Sequence, residues 1–145
     1  MEIYSIGFTQ KSAGQFFDTL KAHGIERLLD IWLNNTSQLA GFAKQADLVY
    51  FLREICAASY EHQPLLAPTR EMLDSYKKKK GEWDAYERDF LALMRGRNIQ
   101  SALDRASFEQ KTVLLCSEPT AEHCHRRLVL EYLKGHWNDI EIHHL

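Results

Sequence analysis

Two short runs of this 145-residue chain are apolar at nearly every position: residues 27–33 (RLLDIWL) and 112–116 (TVLLC). A strand with one face in water alternates apolar and polar residues, whereas a strand covered on both faces does not. Such runs call for a parallel sheet held between helical layers. The flanking segments agree. Residues 2–6 form a β-type run that ends at Gly7. Ser12, with Gln15 three residues on, has the spacing of a capping box. Phe16, Phe17 and Leu20 form the apolar stripe of the helix it opens, and His23-Gly24 closes it. Strand, helix and strand within about 30 residues form a βαβ unit.

The pattern continues along the chain. Residues 34–46 (NNTSQLAGFAKQA) are polar and without clear period, a loop length uncommon in compact domains unless functional or disordered. Asp47 is placed to cap a helix carrying Leu48, Phe51, Leu52 and Ile55. Residues 59–62 (SYEH) suit a short third strand. Thr69 suits the cap of a helix reaching about Lys79. Trp83, Tyr86, Phe90, Leu93 and Met94 mark a helix ending near Gly96, and 98–106 suits one more short helix. After the 112–116 strand come a turn over 117–122, a helix over 123–134 and a closing strand over 140–143. The expected fold is a three-layer α/β, flavodoxin/Rossmann-like arrangement: a mostly parallel sheet of four to five strands with helices on both faces. With no repeat and no Pro/Gly/Ser-rich linker, residues 1–145 read as one domain.

Composition excludes several classes. Eighteen Lys+Arg against 20 Asp+Glu give a net charge of −2, which disfavours a generally basic nucleic-acid binder. The run Lys77-Lys78-Lys79-Lys80 is the main sequence support for a nucleic-acid partner, and is more often a solvated helix end. No apolar run approaches the roughly 18 residues of a membrane span, so no membrane association is expected. No secretory signal is visible at the start. Three sparse cysteines do not make a disulfide scaffold, and a reducing cytoplasm is the expected location. The sequence assigns no cofactor and no oligomeric state.

Ligands of open α/β sheets bind at the carboxyl ends of the strands. That rule selects Thr9 after the first strand, Asn34 and Lys44 after the second, His62 after the third, and Glu118, Cys124, His125 and Arg126 after TVLLC. Glu118 has the chemistry of a general base, a nucleophile or an acceptor for a ribose hydroxyl, or else pairs internally with Arg126. Cys124 stands near a helix start and before cationic residues, where a thiolate is activated; Cys116 fits a buried structural thiol. Arg126 at a helix N-terminus suits an anion and is expected to turn inward, toward Glu118 or a bound anion. Asp30, among apolar neighbours, is expected to cap the loop after it or orient an arginine. Tyr76, Trp83 and Tyr86 at helical spacing are more often core than a base-stacking platform. A phosphatase loop needs C-x5-R, but Glu122 stands six residues after Cys116. The donors Cys116, Glu118, His123, Cys124, His125 and His62 match no standard metal spacing, with no C-x2-C and no H-x3-H, so no metal site is expected. Gly7-Phe8-Thr9 lacks G-x-G-x-x-G, which disfavours a dinucleotide site.

Four motifs carry a resemblance. Ile6-Gly7-Phe8-Thr9, Asp30-Ile31-Trp32, Cys116-Ser117-Glu118 and Cys124-His125-Arg126 resemble the IG-[HFY]-[ST], D-[VI]-R, C-x-E and C-H-R motifs of the DUF488 family. The resemblance covers essentially the whole chain and implies the fold more than an activity. Trp32 departs from it, standing where the family commonly has an arginine that could clamp an anion. The expected function is binding of a small anionic or nucleotide-like ligand at the strand ends, with a hydrolase or transferase acting through Glu118 and Cys124. The competing readings are a binding or regulatory module without catalysis, and a thiol redox protein using Cys116 and Cys124.

Overall fold

The computed structural model describes residues 1–33, 41–78 and 82–145. Among them are five strands, β1 (Glu2–Gly7), β2 (Arg27–Asp30), β3 (Ser59–His62), β4 (Thr112–Cys116) and β5 (Glu141–His144). All pair in parallel, in the order β3-β2-β4-β1-β5. The α-helices are α1 (Ala13–Ala22), α2 (Gln45–Phe51), α3 (Arg70–Leu73), α4 (Trp83–Arg97), α5 (Ile99–Ala102) and α6 (His125–His136). The architecture is the three-layer, Rossmann-like α/β sandwich expected from the two apolar runs.

The core lies on both faces of the sheet. On one face, Phe16, Phe17 and Leu20 of α1 and Leu48 of α2 pack on Tyr4, Ile6, Leu28, Val113 and Leu115. On the other, Phe90 and Met94 of α4 and Leu128 and Val129 of α6 pack on Ile3, Leu29 and Leu114. Successive β4 side chains therefore enter opposite cores, and every residue of that strand is buried. This is why TVLLC has no polar alternation. The edge strands β3 and β5 are partly exposed, and their sequences are correspondingly mixed.

Local chemistry sets the element ends. Ser12 and Gln15 form the full capping box: Gln15 N–H donates to Ser12 Oγ (3.1 Å) and Ser12 N–H to Gln15 Oε1 (2.9 Å). Gly24, at φ +67°, takes the left-handed conformation just past α1. Thr69 caps α3, accepting the Met72 N–H at 3.2 Å, but after one turn the helix widens into a π-type segment from Asp74 to Lys78. α2 starts at Gln45, so Asp47 lies in its first turn, where a carboxylate favours the dipole without capping. β2 stops at Asp30, short of the expected 33, because Asp30 Oδ1 takes the Trp32 N–H (3.0 Å) and turns the chain off the ladder. Asn98, at φ 52°, ends α4, and the extended residues Leu103 and Asp104 split the segment expected as one helix over 98–106 into α5 and a 3-10 turn, Arg105–Glu109. α6 begins at His125, two residues later than expected. Among the described residues no helix is long and apolar enough to cross a membrane.

Candidate functional site

The strand order inserts β4 between β1 and β2. Gly7 stands in register with Cys116, and Asp30 with Leu115, so three carboxyl ends adjoin. Pairing continues past the strands, with Phe8 N–H donating to Cys116 O (3.2 Å) and Thr9 N–H to Ser117 O (3.1 Å). The two chains run so close that a Cβ on Gly7 would sit 1.6 Å from the Glu118 carbonyl oxygen. Glycine is required at position 7 by this approach.

Beneath the junction lies Arg126, in the first turn of α6 and fully buried. Its Nε donates to Ser5 Oγ (3.1 Å) and its Nη1 to the Glu118 carbonyl oxygen (2.7 Å). Ser5 Oγ lies 2.5 Å from His144 Nδ1 on β5. The arginine thus turns inward toward Glu118, but to its backbone rather than its carboxylate, and it ties β1, β5 and the loop after β4 together. The hydrogen-bond partners found for its guanidinium among the described residues are neutral. Arg127 points elsewhere, to Glu131 and Glu87.

Cys116, Cys124 and His125 meet above this support, all buried. His125 Nε2 lies 2.8 Å from the Ile31 carbonyl oxygen, a distance at which its N–H donates. Cys116 Sγ is 3.5 Å from Nδ1. Both sulfurs and the imidazole offer ligand atoms within 4.8 Å of one another. Burial pushes the Cys116 thiol up, and its hydrogen bond with Cys124 adds to the effect. Burial acts the same way on Cys124, but hydrogen bonds from Cys116 and His125, with the nearby charges of His125 and Arg126, reverse the balance and hold that thiol well below its ordinary range.

These three residues floor a cavity of about 430 Å³. Trp32 and Phe8 form one wall, edge to face with centroids 5.1 Å apart. Trp83 forms the other, stacked on His123 (4.9 Å, 22°) and on Tyr86 (5.2 Å, 27°), with Tyr76 beside it. Thr9, Arg70, Asp74, Ser117 and Glu118 supply polar lining. Asp30 lies behind Trp32, wholly buried, accepting from the Trp32 N–H and from Tyr60 Oη (2.7 Å). Burial raises its carboxyl, which these hydrogen bonds partly oppose.

The cavity thus gathers four of the residues selected from sequence: Thr9, Glu118, Cys124 and His125. Arg126 supports it from below. His62 stands outside and hydrogen-bonds through Nε2 to the Trp32 carbonyl (3.2 Å). Lys44 is exposed at the start of α2 and does not line the cavity. Asn34 lies outside the described residues, as do Lys79 and Lys80 of the lysine run. Trp32, noted from sequence as standing in place of an arginine, lines the cavity, as do Trp83 and His123, which sequence reasoning did not select. Tyr86 serves both readings, being part of the core and of the cavity wall. The available signal was the density of aromatic residues from 76 to 86, which periodicity alone assigns to core. The family described as domain of unknown function DUF488 matches residues 12–133. No curated protein and no solved structure matches the chain.

Proposed function

The chain belongs to the DUF488 family, and from that premise we propose that it binds a small, planar, nucleotide-like ligand in the cavity at the strand ends and acts on it there. The observation that carries this reading is the cavity itself: aromatic walls on two sides and a floor of Cys116, Cys124 and His125. Base–aromatic stacking contributes about 1–3 kcal/mol per base, and Trp32 and Trp83 are the rings available for it. With Trp32 where the resemblance leads one to expect an arginine, recognition rests on the ring of the ligand more than on a phosphate. Glu118 and Cys124 are the groups assigned to the chemistry, as acid–base and nucleophilic or ligating partners respectively. Three free cysteines suit a reducing compartment, and we place the protein in the cytoplasm.

The test is a thermal-shift panel of nucleobases, nucleosides and nucleotides, with each mixture assayed for conversion by chromatography. The expected result is a saturable stabilisation by one chemical class, conversion of that class, and loss of conversion but not of binding in Glu118→Gln. Stabilisation without conversion in the wild type would leave a binding module; no stabilisation by any member would remove the reading. A second reading, a thiol redox pair, is favoured by the proximity of the Cys116 and Cys124 sulfurs. Two slowly reacting thiols in the folded protein after mild oxidation, with no disulfide formed, would eliminate it.

A further inference from the structure

We infer that Cys116, Cys124 and His125 form a metal site for a borderline-soft divalent cation, Zn²⁺ by its ligand chemistry, with one coordination position open to the cavity. The inference rests on the cavity reading only for what occupies that open position.

Three observations carry it. Two sulfurs and an imidazole nitrogen are the donor set of thiolate-rich zinc sites, and a three-ligand set leaves the fourth place for water or substrate. Zn–S near 2.3 Å and Zn–N near 2.0–2.1 Å at a tetrahedral angle place S and N about 3.6 Å apart; the Cys116 Sγ to His125 Nδ1 distance is 3.5 Å. Ligating histidines donate their other ring N–H to a carbonyl or carboxylate, which fixes the tautomer; His125 Nε2 lies 2.8 Å from Ile31 O and has that partner.

The spacing of these residues hides the site. Cys124 and His125 are adjacent, and both reach one point because Cys124 is extended (φ −137°, ψ 140°) while His125 opens the helix. His123 stacks on Trp83 instead and takes no part. On binding, any proton carried by the Cys116 sulfur, the Cys124 sulfur or His125 Nδ1 passes to solvent, each of these three atoms donates a lone pair, and no oxidation state changes.

The experiment is an anaerobic titration of the reduced, metal-free chain with Co²⁺, followed by displacement with Zn²⁺. The expected result is one equivalent bound, a near-ultraviolet sulfur-to-cobalt charge-transfer band, visible absorption of tetrahedral strength, and bleaching of both by one equivalent of Zn²⁺. Cys116→Ser, Cys124→Ser and His125→Gln should each weaken binding by more than about tenfold, while Cys56→Ser, remote from the cavity, should not. Circular dichroism of each variant separates lost ligation from lost folding, and His125→Gln preserves both thiols should the serine variants unfold. No charge-transfer band in folded wild-type protein, or a band that survives in folded Cys124→Ser, overturns the inference. Running the thermal-shift panel on the metal-free protein keeps the two claims apart: ligand binding there without Co²⁺ binding would refute the metal site alone.

Discussion

The Arg126 guanidinium accounts for more of the site than any other single group. It is the largest of the fully buried side chains, and its hydrogen bonds run to Ser5 on β1 and to the Glu118 carbonyl in the loop after β4. Ser5 can accept from Arg126 Nε only if its own hydroxyl proton goes elsewhere, and His144 Nδ1 is the acceptor beside it. That arrangement requires His144 to be neutral at Nδ1. Burial, followed by repulsion from Arg126, lowers the His144 value below the ordinary 6.5. The sign follows. A histidine kept neutral in the folded state contributes stability that is complete above 6.5 and is lost as pH falls below it, where the unfolded chain takes up a proton that the fold resists. Melting temperature should therefore fall more steeply between about pH 7 and pH 5 in the wild type than in His144→Gln. Parallel pH curves for the two proteins would show that His144 is not the sensor.

At the scale of elements, caps and packing share control. The reciprocal Ser12–Gln15 cap fixes the start of α1, and α1 delivers Phe16, Phe17 and Leu20 to the core beneath β1. Ser12→Ala should cost about 1 kcal/mol, the usual value of an N-cap hydroxyl, read as a lower denaturation midpoint with unchanged slope. A change within error would mean that packing alone holds the helix end. This cap was readable from sequence because its two side chains are three residues apart. The strands 59–62 and 112–116 were equally legible, since continuous burial or edge exposure is written residue by residue. The short end of β2 was not: it depends on Asp30 bonding the Trp32 N–H, a choice that no periodicity records. The same holds for the extended Leu103 and Asp104, where a local conformation breaks a helix-like pattern.

For the whole molecule, the decisive fact is the insertion of β4 between β1 and β2. It brings the Gly7, Asp30 and Cys116 strand ends together and sets α6 to start above them. Sequence reasoning selected Thr9, Glu118, Cys124 and His125 because the strand-end rule needs only the positions of strands. It did not select Trp83 and His123, which enter the cavity from α4 and from the turn before α6, because their approach depends on helix placement. The same topology explains why Lys44, near the second strand in sequence, does not line the cavity. The central claim is that this cavity, with its aromatic walls, is where the protein meets its ligand. Its most direct test is a calorimetric titration of the panel member that stabilises the protein most, against the wild type and Trp83→Ala. The expected result is one site per chain, with affinity reduced about tenfold or more in Trp83→Ala, as loss of one stacking partner requires. Equal affinity in a folded Trp83→Ala would contradict the account and place the ligand elsewhere.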